Sequence, residues 1–184
     1  SVVGLLDIPY KKYFEGAQFV HFMLGTATVS LAIPIYKSWA SLRGRFGLLL
    51  GVLFAGGVTS VATALSAAHL FGLDAALVGG LYAKSVTAPI AMGIAERIQV
   101  SPTLTAVYAL STGVLGAILG RYVMDAMKMR QWWQRGFALG VASHGIGTSR
   151  AFSVHPEAGT YASLGMGMHG VLGAVLIPWL VTRL

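Results

Sequence analysis

Charged residues leave three long gaps in this chain. No Asp, Glu, Lys or Arg occurs over residues 46–73, 98–120 or 158–182, and each run is long enough for a hydrocarbon core that takes about 20 apolar residues to cross. A fourth run, 16–36, is also long enough, although Gln18, His21 and Pro34 interrupt its apolar character. No stretch alternates apolar and polar residues as a half-buried strand does. The pattern predicts an all-α, polytopic membrane protein with one transmembrane domain over residues 1–184. Composition agrees: the 184 residues are 55% hydrophobic and 10% charged, with a mean hydropathy of +0.71, where a soluble domain is about one quarter charged.

The net charge of +7 changes the picture only through its placement. Lys37, Arg43 and Arg45 follow the run 16–36, and Arg121, Lys128, Arg130 and Arg135 surround the loop after the run 98–120. Short basic loops mark the cytoplasmic face, and Trp39, Trp132, Trp133 and Trp179 fall near span ends, as an aromatic belt would place them. Spans separate these cations, so they form no continuous groove for nucleic acid. The run 46–73 then leaves the cytoplasmic side and 98–120 returns to it, so the segment 74–97 makes an even number of crossings. A re-entrant hairpin satisfies that count. The rival is one broken helix that crosses once, at the cost of a basic loop on the wrong side.

Two segments carry the interruptions. In LYAKSVTAPIAM, residues 81–92, a lysine, small hydroxyl residues and a proline break an apolar helix; in GFALGVASHGIGTSRAF, residues 136–152, glycines and an arginine do the same. A span followed by an interrupted segment therefore occurs twice, over 46–97 and 98–155, which is the grammar of an inverted repeat with two broken or re-entrant helices. Pro89 suits a first helical turn, so a new helix is expected near Thr87 or Ala88. Gly145 and Gly147 can interrupt the second helix, with Thr148 or Ser149 capping the one that follows. Helix N-termini at such breaks favour an anion, and unwound backbone is tolerated in a membrane only inside protein or beside water. Lys84 and Arg150 then face a substrate carboxylate, which arginine holds with two parallel bonds and lysine with a mobile charge. The bland alternative is that they snorkel to an interface or pair with Glu96 and Glu157.

His144, before the glycine turn, can bind a carboxylate or relay a proton, with a structural role as the alternative; His21, His69, His155 and His169 read as packing or interface residues. The chain has no cysteine, no HExxH and no close His/Asp/Glu spacing for zinc, and no cofactor is expected. Ser163 in SLGMGMH lacks the GxSxG setting of a hydrolase. The glycine-rich stretches 49–57 and 165–176 point to close helix packing or to sliding surfaces. No signal peptide is visible: the first sixteen residues hold Asp7, Lys11, Lys12 and Glu15 among Tyr10, Tyr13 and Phe14, an interfacial segment over 1–16. The chain starts at Ser1 rather than methionine, the mark of a fragment or processed form.

These segments resemble a known family. AKSVTAPIAM at 83–92 is similar to the PKSVTTPIAM signature of the LrgB/CidB family, and ASHGIGTSRA at 142–151 to its SHGIGTARA signature. MLGTATVSLAIPIY at 23–36 and EAGTYASLGMGMHGVLGAVL at 157–176 match further family segments in order, so the resemblance covers essentially the whole chain. It departs at Ala83, where proline is usual, at Ala88, where threonine is usual, and at His169, where asparagine is common. The resemblance implies a multi-pass protein of the bacterial cytoplasmic (inner) membrane. Family members are described as holin-like, affecting murein hydrolase export and cell lysis with a small LrgA/CidA-type membrane partner. Plastid relatives export glycolate and import glycerate, and some bacterial relatives are similar to pyruvate transporters.

The sequence therefore points to a secondary transporter of small monocarboxylates by alternating access and not to an enzyme, with Lys84, Ser85, Thr87, His144, Gly145, Gly147, Thr148, Ser149 and Arg150 as the substrate site. The competing reading is a holin-like pore or lysis regulator. Membrane lipid and a small carboxylate are its expected contacts, and a homo-oligomer its expected assembly.

Overall fold

The computed structural model describes residues 16, 29, 32–37 and 39–183, so the expected interfacial segment and most of the run 16–36 lie outside the described residues. Two short helices, α1 (Ala32–Lys37) and α2 (Trp39–Arg43), precede three long ones: α3 (Phe46–Leu70), α6 (Pro102–Ala126) and α8 (Pro156–Val181). Between the long helices lie α4 (Ala75–Gly79), which runs into a 3₁₀ turn at Gly80–Ala83, α5 (Ala88–Arg97) and α7 (Trp132–Val154). No strand occurs among the described residues.

The three long helices coincide with the uncharged runs and are long and apolar enough to cross a membrane. Each of 25 or 26 residues spans about 38 Å at 1.5 Å per residue, against a hydrocarbon core of about 30 Å. Their ends are chemically marked. The Ser101 hydroxyl accepts from Leu104 N at 3.3 Å with Pro102 opening α6, and Asp74 accepts from Leu77 N at 2.9 Å ahead of α4. Gly72 (φ 65°) closes α3, with Leu73 N donating to Ala68 O at 3.0 Å, the six-to-one bond of a helix end in which a left-handed residue satisfies trailing carbonyls. Outward-facing Leu48, Phe54, Leu115, Ile118, Val171 and Val175 are exposed, as side chains solvated by lipid are.

The interrupted segments are hairpins. Across α7, His144 has φ 42° and ψ −129° inside an otherwise helical run. A straight helix would put Trp132 and His155 roughly 35 Å apart, yet their rings stack at 4.9 Å between centroids. The outgoing arm, residues 132–143, and the return arm, residues 145–154, therefore lie side by side. Gly147 permits this, since a Cβ there would sit 2.6 Å from Leu139 O. In the first hairpin, α4 and its 3₁₀ turn run in, Lys84–Thr87 turn, and α5 runs back, so that a Cβ on Gly79 would come within 2.5 Å of Val100.

The hairpins begin at opposite ends of the long helices. Arg45, just before α3, donates to Tyr161 OH at 2.7 Å and lies 5.0 Å over the Trp133 ring, so the starts of α3, α7 and α8 share the basic end. The first hairpin starts at the other end, between the close of α3 and the start of α6. Packing rests on small residues: a Cβ on Gly136 or Gly140 would overlap the Ala158 or Ala162 backbone of α8, two facing small-xxx-small rows that bring helices close. In the glycine-rich stretch of α8, Gly170 lies against Ile90 and Gly173 against Val86, so close packing is what these glycines serve.

Candidate functional site

The turn of the first hairpin points its cation at hydroxyl groups. Lys84 Nζ donates to Ser60 Oγ on α3 at 2.8 Å and to Ser85 Oγ at 3.2 Å, and the two hydroxyls are 2.8 Å apart. Ser85 and Val86 are buried. Lys84 has no ion pair with a described residue, neither with Glu96 nor with any other acid. Hydroxyls accept from two of its three donors without neutralising its charge. Thr87 sits at the N-cap of α5, as expected, but its hydroxyl makes no capping bond; Ala88 opens the helix and Pro89 removes one of its donors. Beside this turn lies a cavity of about 360 Å³, walled by Phe54, Leu172 and Ile177 and carrying polar side chains at Ser60, Tyr82, Ser85 and His169.

The second turn differs from the sequence expectation in where it breaks. The left-handed φ falls on His144, while Gly145 and Gly147 stay helical in the return arm. Thr148 caps nothing: its hydroxyl donates back to His144 O at 2.8 Å and lies 3.9 Å from Met166 Sδ. Ser149 is exposed, and its carbonyl accepts from Ser153 Oγ at 3.0 Å. The buried His144 ring places Nε2 2.8 Å from Ala109 O. A carbonyl only accepts, so Nε2 carries the proton. Gly113 makes room for that ring, since a Cβ there would come within 2.7 Å of it. Next to it, Ser143 Oγ is buried with no hydrogen-bond partner.

Two residues join the turns. Ala109, fully buried in α6, packs its methyl with Ala83, Val86, Ala91 and Ile94 of the first hairpin, while its carbonyl receives His144 of the second. His169 on α8 has Nδ1 2.9 Å from Val141 O in the second hairpin and also lines the cavity beside Ser85. By the same carbonyl argument its Nδ1 is protonated. Neither Ser60 nor Ala109 carries a signal in sequence, both being small residues in uniformly apolar helices, and His169 reads there as a packing or interface residue.

Arg150 does not join this group. It is exposed, makes no ion pair with Glu157, and lines a separate cavity of about 220 Å³ with Arg121, Arg135 and Trp132 at the basic end. The structure thus brings Lys84 and Ser85 together with Ser60, brings His144 and Thr148 together through the second turn, and leaves Ser149 and Arg150 outside.

Comparison with known proteins gives a single family. Residues 1–183 match the model of the LrgB-like family. The chain is 35% identical to "Uncharacterized protein YwbG" of Bacillus subtilis, over 98% of this chain and 82% of that protein. It is 32% identical to "Uncharacterized protein YxaC" of the same organism, over 98% and 79%. To "Holin-like protein CidB" of Staphylococcus aureus it is 26% identical, again over 98% and 79%. No solved structure matches the chain.

Proposed function

The chain belongs to the LrgB-like family, and from that premise we propose that it is a secondary transporter of small monocarboxylates, of the glycolate, glycerate or pyruvate type, working by alternating access in the bacterial inner membrane. In this reading the units 46–97 and 98–155 are inverted repeats, and their hairpins enter the membrane from opposite faces. Lys84 neutralises the carboxylate. Ser60, Ser85 and Thr87 serve its oxygens, and His144 with Gly145, Gly147 and Thr148 forms the opposing wall. His144 or His169 carries the coupling proton, since each holds one ring nitrogen on a carbonyl and has a second one available.

The observation that carries the proposal is the Lys84 ammonium: it sits at a helix break, held by two hydroxyls and by no acid among the described residues. A cation in mid-membrane costs about 2.5–3.5 kcal/mol on insertion scales, so a chain retains one where a counter-charge visits. Its loss of hydration is offset when a carboxylate binds, so the occupied state is the more stable. Arg150, which the sequence paired with Lys84, is left out of this site and given another role below.

The printed name of the CidB relatives favours a second reading, a holin-like pore or lysis regulator acting as a homo-oligomer with an LrgA/CidA-type partner. Uptake by proteoliposomes separates the two. A transporter takes up labelled glycolate or pyruvate with a rate that saturates, and unlabelled substrate competes. A pore passes unrelated solutes of similar size with a rate that stays linear in concentration, and that outcome would remove the transporter reading.

A further inference from the structure

The second cavity has a chemistry that monocarboxylate transport does not use. It lies at the basic end, where Arg121 of α6, Arg135 of the outgoing arm and Arg150 of the return arm open onto one space of about 220 Å³. Its one acid, Asp125, is engaged by Arg135 at 2.7 Å, so three arginines against one aspartate leave two positive charges in excess. Arg135 is held further by Met129 O at 3.4 Å and by the Trp132 ring at 5.7 Å, and Arg121 lies over Tyr122 at 4.6 Å. Among the described residues Arg150 has no ion pair and no hydrogen bond from its guanidinium. The floor is apolar, with Leu139, Ala151 and Val154. Trp132 marks the depth as that of a membrane interface.

We propose that this cavity binds a phosphate group, supplied by an anionic phospholipid headgroup or by a soluble phosphoester. Guanidinium forks match phosphate oxygens in pairs, and basic pockets between spans on the cytoplasmic side are suited to lipid phosphates. An excess of two charges accommodates the single charge of a phosphodiester or the double charge of a phosphomonoester. The two hairpin arms also gain from it: Arg135 and Arg150 stand on opposite arms and line one space, and an anion bound between them attracts both arms and acts as a clamp. The ligand therefore braces the second hairpin from its open end. This inference does not depend on what the other cavity transports.

The test uses the full chain purified in neutral detergent, with thermal unfolding followed as phosphatidylglycerol, phosphatidylcholine or inorganic phosphate is added. Phosphatidylglycerol alone should raise the transition if the source is lipid, and inorganic phosphate should raise it too if the source is soluble. Arg150→Gln, at an exposed position, should weaken that binding at least about tenfold. Arg150→Lys, which keeps the charge and loses the fork, should fall between, and Arg130→Gln, outside the cavity, should bind as the parent does. Equal shifts with phosphatidylcholine, no shift with any phosphate, or Arg150→Gln binding like the parent would overturn the proposal.

Discussion

Lys84→Met is expected to lower the efficiency of monocarboxylate uptake between about 10- and 100-fold while raising the melting temperature of the empty protein. The first effect follows from removing a charge-assisted bond to the substrate, which is worth about 1.5–3 kcal/mol, with tenfold for each 1.4 kcal/mol. The second follows from the lysine's surroundings. Its ammonium is bonded to Ser60 and Ser85 with no acid paired to it among the described residues, so the empty protein bears a desolvated charge that methionine removes at similar length. The Ser60–Ser85 bond at 2.8 Å survives the substitution and keeps α3 against the turn. Opposite signs on transport and stability are the signature of a group held in place for its ligand. A structural lysine would lose both together, so initial uptake rates and thermal unfolding measured on the same preparation decide the matter.

Gly140→Val is expected to be the most damaging single change to the fold, lowering stability by more than about 3 kcal/mol. The Cβ would fall on the carbonyl of Ala162, and Gly136 stands one turn earlier against Ala158. Backbone is what blocks it there, and backbone cannot swing aside as the end of a side chain can, so the arm must lift from α8 and the small-residue seam opens. Lifting that arm also breaks the bond between His169 and Val141 O, so transport should fail with stability. Gly167→Ala is the control in the same seam region of the sequence: nothing lies within 4 Å of a Cβ there, and alanine should stabilise α8 by up to about 1 kcal/mol through helix propensity. Guanidinium or thermal unfolding of the three proteins in one detergent measures the contrast.

Much of this architecture can be read in the residues, and the reasons are local. The three membrane helices were legible because runs without charge have one stable solution in lipid, and Ser101-Pro102 and Asp74 mark their neighbours' starts through capping chemistry. The breaks were legible because a lysine followed by small hydroxyl residues and a proline, and a histidine among glycines, have no place inside an ordinary membrane helix. Their details were less so. The left-handed residue of the second turn is His144 and not a glycine: Gly145 and Gly147 supply clearance for the return arm instead. Arg150 lines the cavity at the basic end and not the hydroxyl cluster around Lys84, because once the chain reverses at His144 each residue carries it about 1.5 Å back toward the basic end, and six residues suffice to bring Arg150 to the cavity that Arg135 lines. Ser60, Ala109 and His169 depend on which helices pack together, and no periodicity carries that information. His169 did leave a trace, as a departure from the family's common asparagine.

As proposed above, two hairpins enter the membrane from opposite faces and bring their turns to one site. Cysteine accessibility tests it most directly, since the chain has no native cysteine. Single substitutions Asp74→Cys and Gln99→Cys flank the first hairpin, and Gln131→Cys and Glu157→Cys flank the second; all four positions are exposed. A membrane-impermeant thiol reagent applied to sealed vesicles of known orientation should label 74 and 99 from one side and 131 and 157 from the other. Labelling of 74 and 99 from opposite sides, or of 131 and 157 from opposite sides, would mean that the segment between them crosses the membrane, and would contradict the account.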